Sequence, residues 1–363
     1  MAAKEKFAEP TYLECGFGEL EYKVIKSEIC CRCGTCEAFC PRIEHVENKP
    51  ALVNYDPLCG LCFTYCPRTF LDMGAMESKL FGRTRNADEA LGIFSKAVSA
   101  KAREASALAQ DGGVATALLV QALQSGMIDC AIVTDKDGEW RTVTRLATTA
   151  DEIRSAAGTK YTINNSVLAV KDALEKGYQK IGFVGTPCQI QGLRKVKLLD
   201  EPYQFGQDRI ALLVGLFCME NFDYDLLMKG LVNGKFGLDA KDVARFEIKK
   251  GMFRVIDKTG KAHEVKIEET DEYTFPGCGP CFDFSSELAD VSVGSVGSGD
   301  GWSTVLTRTK AGETLYSATL AAGGVQEKAV SEKGLALAKR LAVGKVKRFE
   351  SKSVEMNVSG IIR

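Results

Sequence analysis

Residues 30–41 read CCRCGTCEAFCP, with cysteines at positions 30, 33, 36 and 40 directly before Pro41. The spacing C-x2-C-x2-C-x3-C-P is typical of proteins that hold two iron–sulfur clusters, and its fourth cysteine reaches across to the second cluster. A shorter relative of this run, DPLCGLCFTYCP, occupies residues 56–67, but an aspartate stands where the spacing has its first cysteine. The two runs predict a pair of clusters in the first part of the chain.

The crossed ligation assigns ligands to each cluster. The first [4Fe-4S] cluster is predicted to bind Cys30, Cys33, Cys36 and Cys66, and the second to bind Cys40, Cys59 and Cys62. The fourth iron of the second cluster is open to the Asp56 carboxylate, to Cys31 or Cys15, to water, or to nothing, which would leave a [3Fe-4S] cluster. Zinc also binds C-x2-C pairs, and a disulfide knot is a further alternative. Two runs that each end in Cys-Pro favour iron–sulfur.

Length and composition indicate a globular protein of two or three domains. The 363 residues are 45% hydrophobic and 26% charged, and 47 basic residues nearly balance 48 acidic ones. A field this close to neutral gives no reason to expect a nucleic acid or an anionic membrane as partner. No apolar run has the length of a membrane span, and the first residues carry no signal core. We therefore expect a cytoplasmic protein, or one peripheral to a membrane complex.

The fourteen cysteines are expected to be cofactor ligands, since disulfides are rare in chains without an export signal. The only histidines, His45 and His263, leave little material for histidine-based metal or acid–base chemistry.

The pattern along the chain predicts an iron–sulfur domain over residues 1–85, a core over 86–310 and a C-terminal helical segment over 311–363. The charged stretch 77–89 is the expected linker. Strands are predicted at 130–134, 181–185, 210–217 and 303–307, β-ribbons within 246–266, and helices at 114–123, 164–176 and 312–341. Unbroken apolar strands separated by helices indicate an α/β core whose sheet is buried on both faces.

A second group of cysteines lies in this core. Cys188 follows one predicted strand, Cys218 ends the next, and Cys278 and Cys281 form a C-x2-C turn. Because strand ends at one edge of an α/β sheet converge, the four cysteines could hold a third [4Fe-4S] cluster. The alternative is that Cys188 and Cys218 are small buried apolar residues, and that only the turn binds metal.

Four glycine-rich turns are candidate phosphate sites, because glycine lets backbone amides approach an anion closely. They are QDGG at 110–113, GTKY at 158–161, GTP at 185–187 and GSVGSGDGWS at 294–303. None is a Rossmann fingerprint or a P-loop. Beside the cysteine groups they favour a dinucleotide such as FAD, since a flavin can link hydride carriers to clusters that pass single electrons.

Five stretches carry a family resemblance. They are LAQDGGVATALL (108–119), AAGTKYT (156–162), GTPCQIQGLRK (185–195), LLVGLFCMENF (212–222) and ELADVSVGSVGSGDGWSTVLTRT (287–309). These stretches resemble the β subunit of coenzyme F420-reducing hydrogenase and related F420H2-oxidising subunits of archaea. The N-terminal cysteine unit is similar to that of the F420H2 dehydrogenase input subunit and of the amino-terminal half of F420-dependent sulfite reductase. Asp56 departs from the ideal two-cluster pattern.

The resemblance implies an α/β (α+β) flavin-binding core with a small bacterial-ferredoxin-like domain in front of it, and F420 as substrate. It places a medial [4Fe-4S] cluster on Cys188, Cys218, Cys278 and Cys281. The implied flavin contacts are Asp111, Gly112, Gly113, Gly158, Thr159, Lys160, Tyr161, Thr186, Pro187, Ser295, Gly297, Ser298, Asp300, Gly301 and Trp302.

The implied reaction is hydride exchange between F420 and FAD, with Lys160 stabilising negative charge on the reduced flavin. A solvated lysine at a helix end is the alternative for Lys160. Electrons would pass to or from a partner subunit such as a hydrogenase, a membrane dehydrogenase, a heterodisulfide reductase or a sulfite reductase. Two other functions are a polyferredoxin adaptor without catalysis and an NAD(P)H-dependent reductase subunit.

Overall fold

The computed structural model describes residues 16–47, 49–53, 60–198, 206–358 and 360–362. Cys15, Asp56 and Cys59, named above as candidate ligands, lie outside these residues. The strands are β1 Ile43–Val46, β2 Lys49–Leu52, β3 Leu71–Asp72, β4 Lys96–Ala102, β5 Cys130–Lys136, β6 Thr142–Ala147, β7 Ile181–Gly185, β8 Ile210–Leu216, β9 Val243–Lys249, β10 Met252–Asp257, β11 Ala262–Lys266, β12 Val291–Gly294, β13 Ser303–Thr307, β14 Val325–Ala329 and β15 Ile361–Ile362.

The α-helices are α1 Phe17–Leu20, α2 Thr35–Ala38, α3 Leu61–Tyr65, α4 Met73–Phe81, α5 Val114–Gln124, α6 Ala150–Ser155, α7 Leu168–Glu175, α8 Pro187–Leu198, α9 Lys310–Ala321 and α10 Glu332–Glu355. Glu21–Ile25 and Leu226–Lys235 are π-helical. Short 3-10 turns cover Gln207–Arg209, Ala240–Asp242, Ile267–Tyr273 and Pro276–Cys278. Among the helices of the described residues, none combines the length and the apolar character that a membrane span requires.

A mixed eight-stranded sheet forms the centre of the α/β fold, in the order β14-β4-β13-β12-β8-β7-β5-β6. The middle strands β12, β8, β7 and β5 run parallel, and the outer strands pair antiparallel. The strands predicted near 130, 181, 210 and 303 are confirmed, and so is the helix predicted at 114–123.

Both faces of the sheet are buried, as the apolar strands predict. In β5, Cys130 and Ile132 pack on the side of α7 and α8. Ala131 and Val133 pack on the opposite side, against α5 and α9. The predicted ribbons are the antiparallel sheet β11-β10-β9, whose apolar residues pack with Trp140 and Phe222 in a core of their own.

Two predicted helices differ from the structure. The stretch 312–341 is not one helix: it breaks at Gly323, whose φ of +72° suits glycine, and β14 then pairs with β4 as the edge of the central sheet. The helix predicted from residue 164 begins only at Leu168. The residues before it pack on the first cysteine run, where the Val167 amide donates to the Cys33 carbonyl at 3.2 Å.

The cysteine runs fold onto the central domain. The β1–β2 hairpin lies between them in sequence, and Cys31, Phe39 and Tyr65 share an apolar core with Ile190 and Leu193 of α8. The far end of the chain joins the same region through β15, which pairs in parallel with β3.

The segment 77–89, predicted as a linker, also differs from the structure. Glu77 lies in α4 and is 1% exposed, and it forms an ion pair with Arg85, whose guanidinium also lies 2.6 Å from the Glu287 carboxylate. The segment is therefore held by buried charges, although the domain boundaries at 85/86 and 310/311 remain predictions.

Candidate cofactor sites

One cavity is lined by all four cysteines that the crossed ligation predicts for the first cluster. Cys30, Cys33, Cys36 and Cys66 face an empty volume of about 420 Å³, part of which is continuous with solvent. Leu20, Val24, Ile25 and Pro50 supply apolar walls. Gly34, at φ +90°, makes the turn into α2 and so separates Cys33 from Cys36. These residues fit a cluster, and its binding remains a prediction.

The second N-terminal site is only partly described. Cys40 and Cys62 are both buried and pack in one apolar cluster with Leu20 and Ile43. Cys62 also lies near Cys36 of the first set. Burial is the main cause that raises the pKa of the Cys36 thiol, and the negative charges of Cys66, Cys30 and Cys62 raise it further. The two sets are therefore neighbours, while the fourth ligand of the second stays open.

The four core cysteines come together at the ends of β7 and β8. Cys188 lies in the first turn of α8, Cys218 follows β8, and Cys278 and Cys281 flank a tight turn. Burial raises the pKa of Cys278 to about 12, and the nearby Cys188 and Cys281 thiolates add to the shift. The strands thus bring Cys188 and Cys218 to the C-x2-C turn, where all four could bind one cluster.

Donors surround these sulfurs. The Asn221 amide lies 3.4 Å from Cys278 Sγ, and its side-chain nitrogen lies 3.8 Å from Cys218 Sγ. The Thr186 hydroxyl is 3.4 Å from Cys188 Sγ. Hydrogen bonds to sulfur are among the features that set the potential of a cluster.

The spacing of the cysteines disfavours zinc. Across the described ranges, no three His, Cys, Asp or Glu side chains are grouped so that they could hold a metal ion. A zinc ion holds its sulfurs at about 2.3 Å, so the ligands crowd around one centre. Each thiolate of an iron–sulfur cube binds a different iron, and the sulfurs can be further apart. The cube therefore remains the prediction for both cysteine sites.

Two buried cations lie among the thiols, and the sequence interpretation missed both. Arg68 is 2% exposed and Lys345 is 1% exposed. Lys345 Nζ donates to the carbonyls of Cys218 and Asp283 at 2.5 and 2.8 Å. Burial alone would raise the pKa of Cys281, but Lys345 and Arg68 reverse the shift and lower it. Arg68 follows the Cys-Pro of the second run and could have been noticed there, whereas Lys345 is far away in sequence and carries no signal.

Three of the predicted flavin loops meet beside β9. Asp111 neighbours Asp300 and Glu247, and burial, assisted by both carboxylates and opposed by Lys249, raises its pKa to about 6. Tyr161 lies near the carboxylates of Asp111 and Glu247, and burial raises its pKa, an effect that the nearby Thr159 and Ile248 backbone oppose. The loops at 110–113, 158–161 and 294–303 therefore surround one place.

The glycines of these loops differ in what they permit. A methyl group on Gly112 would lie 2.7 Å from the Ala100 carbonyl, and one on Gly158, at φ +91°, would lie 2.6 Å from the Leu108 carbonyl. Packing within the protein accounts for both glycines. No atom of the described residues lies within 4 Å of that position on Gly301, so the third loop has an open side. Below it the Ser298 hydroxyl bonds with those of Ser99 and Thr304, both at 2.8 Å.

The remaining predicted contacts have protein partners. Lys160 Nζ donates to the Ala156, Ala157 and Gly158 carbonyls at 2.6 to 3.0 Å, and burial lowers its pKa to about 8. Lys160 thus lies just beyond the end of α6 and is half-buried, whereas the alternative was a solvated lysine at a helix end. Its role toward a flavin remains a prediction. Thr186 and Pro187 lie beside Cys188, and Trp302 has Lys328 over its ring at 4.0 Å. Gly113, Ser295 and Gly297 belong to the loops already described.

Backbone hydrogen bonds connect the flavin loops to the core cysteines. The Phe222 amide donates to the Tyr161 carbonyl at 2.8 Å, and the preceding residue, Asn221, contacts Cys278 and Cys218. Residues 221–222 are therefore shared by the two sites.

Comparison with known proteins identifies the family. Residues 97–171 match the N-terminal region, and residues 178–333 the C-terminal region, of the family described as "Coenzyme F420 hydrogenase/dehydrogenase, beta subunit". Coenzyme F420 hydrogenase subunit beta of Methanothermobacter thermautotrophicus is 41% identical to this chain over 266 residues, which cover 72% of this chain and 94% of the relative. This chain belongs to the coenzyme F420 hydrogenase/dehydrogenase β-subunit family.

A solved structure of a family member has the same fold as this chain. A chain of the F420-reducing [NiFe] hydrogenase complex from Methanosarcina barkeri superimposes with a TM-score of 0.71 and 38% identity, over 75% of this chain and 95% of that one. The coenzyme F420-dependent sulfite reductase of Methanocaldococcus jannaschii is 35% identical over 352 residues, or 92% of this chain and 51% of the relative. Because that match leaves out so little of this chain, it includes the N-terminal cysteine runs, which lie outside both family regions.

Proposed function

We propose that this chain is an F420-dependent oxidoreductase subunit. It exchanges a hydride between coenzyme F420 and FAD held by the loops at 110–113, 158–161 and 294–303. Single electrons then pass through a medial [4Fe-4S] cluster and the N-terminal clusters to or from a partner subunit. The direction of turnover depends on that partner.

The order of the sites in space is the observation that carries the proposal. The loop containing Tyr161 is bonded to residues 221–222, which contact the medial cysteines. The medial Cys188 in turn neighbours Cys31, inside the first cysteine run. Loops, medial cysteines and N-terminal cysteines therefore form a continuous series, as electron transfer from a flavin to a partner requires.

When bound, the flavin supplies two-electron exchange with F420 and the clusters carry electrons singly. The contribution of the chain is to position and shield these groups. Asp111, Thr159, Tyr161 and Asp300 surround the place proposed for the flavin, with Glu247 and Lys249 of β9 beside it. Three of the four medial cysteines, Cys188, Cys278 and Cys281, are buried, which limits the access of water to their site.

The partner is proposed to be a separate polypeptide. This chain spans 51% of the sulfite reductase relative, so that relative carries a further half in the same chain. In a complex, a second subunit would take the place of that half and exchange electrons with the N-terminal clusters.

Anaerobic titration of the reconstituted protein with reduced F420 tests the proposal. We expect an excess of reduced F420 to bleach the cluster absorbance, whereas NADH and NADPH leave it unchanged. Bleaching by a nicotinamide instead would assign the chain to the NAD(P)H-dependent class. Clusters without bound flavin and without response to reduced F420 would make it an electron-transfer adaptor.

The medial site has a matched pair of variants. Cys188→Ser should retain FAD but stop reduction of the N-terminal clusters, because it removes one medial ligand. Cys130→Ser changes a cysteine in β5 that is 0% exposed and lies in no predicted site. It should leave the transfer intact. Normal reduction of the N-terminal clusters in Cys188→Ser would remove the medial site from the route.

A further inference from the structure

Arg68 is a buried cation with unused donors. It is 2% exposed, and its Nη2 donates to the Gly277 carbonyl at 3.2 Å. Its Nε and Nη1 are buried and have no hydrogen-bond partner among the described residues. A buried charged donor without a partner is costly, so the side chain is expected to serve a negatively charged group at this place.

The groups around Arg68 come from both cysteine sites. Its positive charge interacts with Cys281 and Cys188, which are medial cysteines. Its charge also acts on Cys30 and Cys66 of the first N-terminal set. Arg68 is therefore a charge shared by two predicted clusters.

The two sites touch at this point. A methyl group on Gly277, beside Cys278, would overlap the Cys30 carbonyl. The Cys31 thiol neighbours both Cys33 and Cys188, which act on its pKa. The two sets of ligands are therefore adjacent among the described residues, and Arg68 lies where they meet.

We propose that Arg68 sets the reduction potentials of the medial cluster and the first N-terminal cluster together. The inference rests on the proposed function, because it assumes clusters at both sites. Each reduction adds a negative charge to a cluster, and a fixed positive charge nearby favours the reduced state. A charge shared by two clusters therefore raises both potentials.

Lys345 provides the comparison. It is equally buried, but the thiols it interacts with are Cys281, Cys218 and Cys278, all of the medial set. Loss of its charge should therefore affect the medial cluster alone. The two cations differ in which sites they reach, and this difference is measurable.

Redox titration of the reconstituted full-length protein, monitored by EPR and without F420, measures each potential. In Arg68→Met we expect both the medial and the first N-terminal cluster to become harder to reduce. Each equilibrium constant should change at least tenfold, which is about 59 mV for one electron. Lys345→Met should shift the medial cluster alone, and Arg68→Lys should keep both potentials close to those of the native protein.

A shift of only one cluster in Arg68→Met, or of neither, would overturn the proposal. Iron content and the EPR signal of each cluster show whether a variant is loaded. If Arg68→Met does not hold its clusters, Arg68→Gln keeps a donor toward Gly277 and replaces it in the titration. If Arg68→Met and Arg68→Gln both lose iron while Arg68→Lys does not, Arg68 is a structural cation and the proposed effect on the potentials is wrong. Inactivity toward reduced F420 with shifted potentials would refute the proposed function alone.

Discussion

Replacement of Gly192 by alanine tests whether the N-terminal cysteine unit packs directly on the central domain. Gly192 lies within α8, and the added methyl would overlap Thr35 Oγ1 and lie 3.2 Å from Thr35 Cβ. Thr35 is the first residue of α2, it is 0% exposed, and its hydroxyl lies 3.2 Å from Cys33 Sγ. The methyl therefore presses on the turn that carries two predicted ligands, Cys33 and Cys36.

The expected size follows from two opposing effects. Alanine is better than glycine inside a helix by about 1 kcal/mol, whereas overpacking a core costs about 1–3 kcal/mol. Gly344 in α10 is the matched control, since a methyl there meets no atom of the part of the chain that the structure describes within 4 Å. Gly344→Ala should stabilise the protein, and the free energies of unfolding of the two variants should differ by about 1–3 kcal/mol, the overlap cost.

Guanidinium unfolding of the two variants, prepared anaerobically in parallel, supplies the measurement. Iron content reports whether the first cluster site is disturbed. Thr35→Ala removes the overlapping hydroxyl. The double variant Gly192→Ala/Thr35→Ala should therefore lose less stability than the sum of the losses in the two single variants. Equal stabilisation by Gly192→Ala and Gly344→Ala would refute the packing of α2 on α8.

Four further predictions follow from individual side chains. Arg194→Ala should cost about 3–5 kcal/mol, because it leaves the buried Asp290 carboxylate, 2.6 Å from Arg194 Nη2, without its cation. Arg154→Ala, in an exposed pair with Asp151, should cost about 1 kcal/mol or less in the same unfolding assay. Asp111 has a pKa raised to about 6, so the folded protein holds its proton longer than the unfolded chain. The stability of the native protein should therefore fall as the pH rises from about 4 to about 6, compared with that of Asp111→Asn. A difference in the free energy of unfolding between the two proteins that is the same at every pH would contradict the shift. Asp56→Cys should change the low-temperature EPR signal of the second N-terminal cluster, and an unchanged spectrum would mean that Asp56 is not a ligand.

The contact between the cysteine unit and the core explains several features that look unrelated in the sequence. Lys195 of α8 donates to the Cys66 and Phe70 carbonyls, and so holds the end of the second cysteine run. Arg85 joins Glu77 to Glu287 across the predicted linker. These buried charges connect segments that are more than a hundred residues apart, and they keep the two cysteine sites in contact.

The local sequence was sufficient wherever spacing or apolar runs decide structure. The cysteine spacing of residues 30–41 predicted the set that lines one cavity, and the runs at 181–185 and 210–217 predicted strands whose ends carry Cys188 and Cys218. It failed where a distant partner decides. Val325–Ala329 is mostly polar and exposed, and it becomes a strand because β4 offers an open edge. The start of α7 is delayed because residues before it bind the first cysteine run.

The sequence by itself predicted which thiols of the two N-terminal runs belong together, because the ligand spacing of an iron–sulfur motif is local, and it carried the motifs of the family. Only the tertiary structure decided how the sites are connected. The contact of Cys31 with Cys188, the shared segment 221–222 and the placing of Arg68 and Lys345 between thiols all depend on packing between distant segments. Such packing depends on the shapes and charges of both surfaces at once, and no pattern within one segment encodes it.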